Sequence, residues 1–279
     1  MSKATKQIAN KISLVTSSLS QSIDLLLANQ GDDPLHNVRV SARRLGSTLS
    51  PFSKLESFAS LRDLRQPIHA LIKLSNQLRD AEVQAALLKP LAEGAHPEWW
   101  QHWLETRTHA DHAIQIALYR HMQRPDIGRS TRLIRRACTR AIKKAGKQQL
   151  RWAIRRQGRR LKERIGDYSL HGRHLFDEAA TWHALRLDCK RLRYLQEVYR
   201  SILPARDQID PILIKAAQDA LGELRDVDVL LASLAADTTP APIVEALHKL
   251  RAERLAHAEE IVVSLMQAVE TPAEGPQAA

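Results

Sequence analysis

Glycine is scarce in this chain, at 10 of 279 residues. Sandwiches and barrels need many glycine-bearing turns, so the scarcity weighs against a strand-and-turn architecture. Cysteine is almost absent. The two present, Cys138 and Cys189, form no C-x-x-C pair, which leaves no zinc or thiol-redox motif to read. Aromatics make up only 4%, so stacking residues are sparse, with only Trp152 between Arg129 and Arg164. No apolar run nears the ~18 residues that span a bilayer. The segment MSKATKQIANKISLV has no uninterrupted apolar core of the signal-peptide kind. Neither a P-loop nor a dinucleotide-binding glycine fingerprint occurs. The expectation is a soluble, cytoplasmic, helical protein with no membrane partner, no cofactor and no metal.

What is present is positive charge, unevenly spread. The formal net charge is +11, yet the window from Arg129 to Arg164 holds 15 Lys or Arg and a single acid, Glu163. A field so concentrated attracts anionic partners.

Two motifs recur in the same order. His36-x-x-Arg39-x-x-x-Arg43-Arg44-Leu45 returns 147 positions later as His183-x-x-Arg186-x-x-x-Lys190-Arg191-Leu192. Leu78-Arg79-Asp80-x-Glu82-Val83 returns 146 positions later as Leu224-Arg225-Asp226-x-Asp228-Val229. The chain therefore reads as an internal duplication, with a first repeat over 1–125 and a second over 126–279, together one domain.

Apolar periodicity predicts helices at about 4–29, 34–52, 60–91, 96–122, 129–165, 178–203, 211–236 and 241–270, with a possible break near Gly146 and a loop at 166–173. Asp33 followed by Pro34 is an N-cap signature. Arg124 to Gly128 marks the boundary between repeats, and the small, polar tail 271–279 is expected to fray. Trp99, Trp100 and Trp103 are expected in the core, with an interface as the alternative. The fold class is all-α.

At about 100° per residue, His36, Arg39 and Arg43 share a face roughly opposite Val38, Leu45, Leu49 and Phe52. His183, Arg186, Lys190 and Arg193 repeat the arrangement. Like charges three and four residues apart repel, and a protein keeps them where an anion is expected. Arginine offers planar, multidentate donors to phosphate oxygens, lysine a mobile point charge, and histidine donors that become cationic near a polyanion. Asp80 and Asp226 are expected to hold motif arginines in place, with a hard-cation site between paired carboxylates as the lesser alternative.

These motifs resemble the CHAD domain, the conserved histidine α-helical domain. The resemblance rests on HNVRVSARRL, WHALRLDCKRLRYLQEVY, LRDAEV and LGELRDVDVL and spans nearly the whole chain. The first repeat departs at Gly46, where the pattern usually has another arginine, and at Ser75 to Gln77, where an LG-type sequence is usual. The resemblance implies two pseudo-twofold-related four-helix bundles with a basic groove or pore between them, binding inorganic polyphosphate and associating with polyphosphate granules. Carried over by motif, the binding residues are His36, Arg39, Arg43, Arg44, His183, Arg186, Lys190, Arg191 and Arg193. Lys215 lies on the face of Asp226, and Asp80 and Asp226 take the supporting role. The chain also lacks the E-x-E-x-K signature of the triphosphate tunnel domain to which some family members are fused, so it resembles a stand-alone member.

Two other function classes compete. The window 129–164 could hold DNA or RNA non-specifically, making other polyanions partners. The histidines could act as general acids or nucleophiles on phosphate esters or anhydrides. Neither has a clear carboxylate orienter nearby in sequence, Asp32 and Asp33 lying at the first cap, and no metal set for phosphoryl transfer stands out. The expectation is a non-catalytic binding protein.

Overall fold

In the computed structural model, which describes residues 3–170, 179–235 and 238–270, every regular element among the described residues is helical. The helices are α1 (Lys3–Leu27), α2 (Pro34–Leu49), the short α3 (Leu61–Leu64), α4 (Gln66–Ala92), α5 (Pro97–Met122), α6 (Pro125–Leu170), α7 (Ala179–Tyr199), α8 (Pro211–Ser233) and α9 (Ala241–Glu270). Two motif-bearing helices start on the same device. Asp33 caps α2 by accepting from the His36 N–H at 3.1 Å, and Asp210 caps α8 by accepting from the Ile212 N–H at 3.0 Å. A proline follows each cap and fills a position whose N–H has no intrahelical acceptor.

Three boundaries differ from the sequence expectation. The helix expected at 60–91 divides at Arg65, because Pro67 has no N–H to donate to the carbonyl four residues back and so interrupts the helical ladder. Residues 125–128 form the first turn of α6 rather than a connection. The loop expected at 166–173 is helical through Leu170, and its remainder lies outside the described residues, as does the tail 271–279. Gly166 serves close packing here: a Cβ on it would lie 3.1 Å from Val269 Cγ1 on α9. The suspected break at Gly146 is present, with φ 70° and ψ 174°, backbone that suits glycine.

The chain divides into two compact units that interleave along the sequence. Unit one comprises Met1–Leu78, Asp111–Gln157 and Glu197–Leu203; unit two comprises Arg79–Ala110, Gly158–Gln196 and Pro204–Ala279. In unit one, α1 packs on α2. Ile8, Ile12, Leu19, Val38, Leu45 and Phe52 are buried there. The Phe52 ring stacks on Phe58 at 4.8 Å and meets the edge of Tyr199 at 6.0 Å, while the Tyr199 hydroxyl donates to the Thr48 carbonyl at 2.8 Å. In unit two, α8 packs on α9. Leu88, Ala92, Trp100, Leu230, Ile243 and Leu247 form a core cluster, with Trp99 and Trp103 packed against it, so the tryptophan stretch belongs to the core. No helix among the described residues is long and apolar enough to cross a membrane.

Candidate functional site

In unit two, α7, α8 and the second part of α4 bring one cationic set together. His183 and Arg186 stand on α7, Arg225 and Asp226 on α8, and Arg79 and Asp80 on α4. Burial lowers the affinity of the His183 imidazole for a proton, and Arg225, Arg186 and Arg191 lower it further. Its Nδ1 is buried and meets no hydrogen-bond partner among the described residues. Burial pushes the Asp226 carboxyl above its ordinary value and Asp80 adds to the push, while Arg186, Arg79 and Arg225 oppose it. Arg186 is the foremost favourable charge at Asp226, which is where a supporting carboxylate would have to act.

Gly222, one turn before Asp226, faces this cluster. A Cβ at that position would lie 3.4 Å from Arg186 Nε and 3.6 Å from its Nη2. The guanidinium therefore rests against bare backbone of α8. The remaining second-repeat candidates have other neighbours. Arg193 donates from Nε to Gln218 Oε1 at 2.9 Å and lies over the Tyr194 ring at 4.4 Å. Arg191 donates to Asp188 at 2.9 Å, and Arg164 of α6 pairs with the same carboxylate. Asp188 is fully buried, so the two guanidiniums supply the charge that makes its burial possible. Lys190 is half-buried beside them. Lys215 forms an exposed ion pair with Asp219 at 2.7 Å on its own helix.

The first copy lies in unit one and is built differently. His36 is exposed beside its cap, with Nδ1 4.0 Å from an Asp33 oxygen. Arg44 is exposed, but Arg39 is buried at 6% exposure, which the helical wheel did not foresee. The wheel locates the face packed on α1, where Ser41 meets Ser18 and Ser22 at 3.2 and 3.1 Å, yet α4 covers a second flank. There Arg43 donates to Asn76 Oδ1 at 2.5 Å. Asn76 stands 146 positions before Gly222. The departure at Ser75 to Gln77 thus has a physical counterpart: the second copy rests an arginine on glycine, and the first engages one with an amide.

Sequence reasoning passed over Arg79, Arg225, Asp188 and Gly222 as site residues. The two arginines carried a usable signal, since each precedes its aspartate in both copies. Asp188 has no counterpart at the matching position, Ser41, so the repeat could not find it. Among the described residues no cluster of three or more metal-ligating side chains occurs. Burial raises the Cys138 and Cys189 thiols to about 12, which keeps them from acting as thiolates near neutral pH.

A family model described as the CHAD domain matches residues 16–235. No curated protein sequence matches the chain. Among solved structures, the crystal structure of the CHAD domain from the plant Ricinus communis aligns with a TM-score of 0.67 at 19% identity, over 96% of this chain and 92% of that one. PptA from Streptomyces chartreusis aligns with a TM-score of 0.67 at 17% identity, over 97% of this chain and 100% of that one. At these identities the likeness is one of fold.

Proposed function

We propose that this chain, which belongs to the CHAD domain family, binds inorganic polyphosphate without turning it over. The observation that carries the reading is the convergence in unit two of His183, Arg186, Arg225 and Arg79 around a partly buried Asp226. Arginines gathered with a histidine suit a string of phosphate oxygens, which offers acceptors along its length and needs no glycine-rich cradle. Asp226 acts through Arg186, holding it in place for the phosphates. The first copy contributes His36, Arg43 and Arg44, with Arg39 held inside. The two repeats, 1–125 and 126–279, work as one domain, and the protein resides in the cytoplasm at polyphosphate granules.

Titration with polyphosphates of several lengths, at low and high salt, tests the reading. Arg186→Ala or Lys190→Ala weakens binding by roughly tenfold, the scale of one charge-assisted hydrogen bond, and Arg129→Ala weakens it less. Equal losses in all three would mean that net charge, not the motif, drives binding. Phosphate release from polyphosphate by the pure protein, abolished by His183→Ala, would replace binding with catalysis.

A further inference from the structure

The basic stretch of α6 is not absorbed by that site. Within unit one, before the bend at Gly146, the exposed face of α6 carries Arg132, Arg135, Arg136, Arg140, Lys143 and Lys144. The remaining exposed side chain among them, Thr139, bonds back to the Arg135 carbonyl at 3.0 Å. No acid occurs anywhere between Arg129 and Gln157. Arg132, Arg136, Arg140 and Lys144 follow one another at i, i+4, so the face repels itself and is relieved by an anion laid along it.

Past the bend the same helix exposes an indole. Trp152 is 55% exposed, whereas Trp100 and Trp182 are buried. The Arg156 guanidinium lies 4.9 Å from the centre of its ring. Gln148 and Gln149 are exposed on the preceding turn.

We infer that this outer face of α6 is a second polyanion surface and that its ligand is single-stranded nucleic acid. An inorganic phosphate chain has no π-face and gains nothing from an indole, whereas an unpaired base stacks on one and leaves its phosphate to the arginines. A duplex hides its bases and is stiff over far more than the length of a helix, so it cannot follow the bend. A membrane surface takes up the apolar side of a basic helix, but here Ile134, Cys138, Ile142, Leu150 and Ile154 are all buried in the protein. The inference stands apart from the polyphosphate reading, because it uses other residues and another ligand chemistry.

The test uses the full chain with four probes: a labelled oligouridine, its duplex with oligoadenosine, polyphosphate of matched charge, and anionic lipid vesicles. Trp152→Ala weakens oligouridine binding about tenfold and leaves polyphosphate binding unchanged, and Trp152→Phe restores part of the loss. Replacing Arg136, Arg140 and Lys143 together by alanine lowers the log–log salt slope for oligouridine by about two, with thermal unfolding checking that the exposed sites leave the fold intact. Unchanged oligouridine binding in Trp152→Ala, equal losses for both polyanions, a preference for the duplex, or binding to vesicles alone would each overturn the inference. Arg186→Ala separates the two proposals, losing polyphosphate and keeping oligouridine. If polyphosphate does not bind at all, the oligouridine arms still decide this one.

Discussion

His183 sits where burial and three arginines disfavour its charged form. Under the proposed function a bound phosphate chain would reverse that balance, so binding is expected to take up a proton and affinity to rise as pH falls. In the free protein the sign is opposite: charging His183 destabilises the fold as pH drops below the ordinary histidine value of about 6.5. Polyphosphate affinity is therefore expected to increase between about pH 8 and about pH 6, and His183→Asn, which can donate but not titrate, flattens that increase. An unchanged pH profile in the variant would assign the proton to another group. Gly222 gives a second residue-scale test. Alanine is the better helix former by about 1 kcal/mol, yet its methyl would stand in contact with the Arg186 guanidinium that now lies against bare backbone. Gly222→Ala is expected to hold or raise the melting temperature while weakening polyphosphate roughly fivefold, about one weakened charge-assisted hydrogen bond. Stability and binding moving in opposite directions would identify Arg186 placement, and not folding, as the purpose of the glycine.

Helices carry the design at the next scale, and two of their starts were legible in the sequence. Asp33-Pro34 and Asp210-Pro211 start α2 and α8 because an aspartate oxygen and a proline satisfy first-turn backbone locally, with no help from other elements. Interruptions were harder to read. Gly146 and Gly166 look alike in sequence, but one bends α6 with positive φ and the other stays helical so that α9 can approach. Alanine should tell them apart. Gly146→Ala is expected to lower stability by about 1–3 kcal/mol, because only glycine holds that backbone without strain. Chemical denaturation followed by circular dichroism measures it, and a stabilised variant would mean that α6 straightens. Asp188 shows why pairings escape a single-helix reading. On α7 alone it is one acid near Arg191, and only the approach of Arg164 from α6 makes it a fully buried carboxylate with two cations.

Over the whole molecule, the net charge of +11 hides two different cationic regions. One is the convergent set around Asp226; the other is the open face of α6. Both should show counterion release, with log affinity falling linearly against log salt by about 0.7–0.9 for each phosphate neutralised, by analogy with nucleic acids. Arg186→Ala is expected to reduce the slope for polyphosphate by about one and to leave that for oligouridine unchanged. A slope that responds equally to any lost cation would indicate a diffuse field in place of two surfaces.

The all-helical class, the positions of the long helices and the recurrence of the two motifs were determined by the sequence itself. Periodicity, capping and motif order are local or linear properties, and the chain carries them wherever it folds. Tertiary structure alone decided which motif residues meet. It buried Arg39 and turned Arg191 to Asp188. It also brought Arg79 and Asp80 from the first repeat into the same compact unit as His183 and Asp226 of the second. A helical wheel describes one helix in isolation, and the charge on a side chain depends on what other helices remove from water around it.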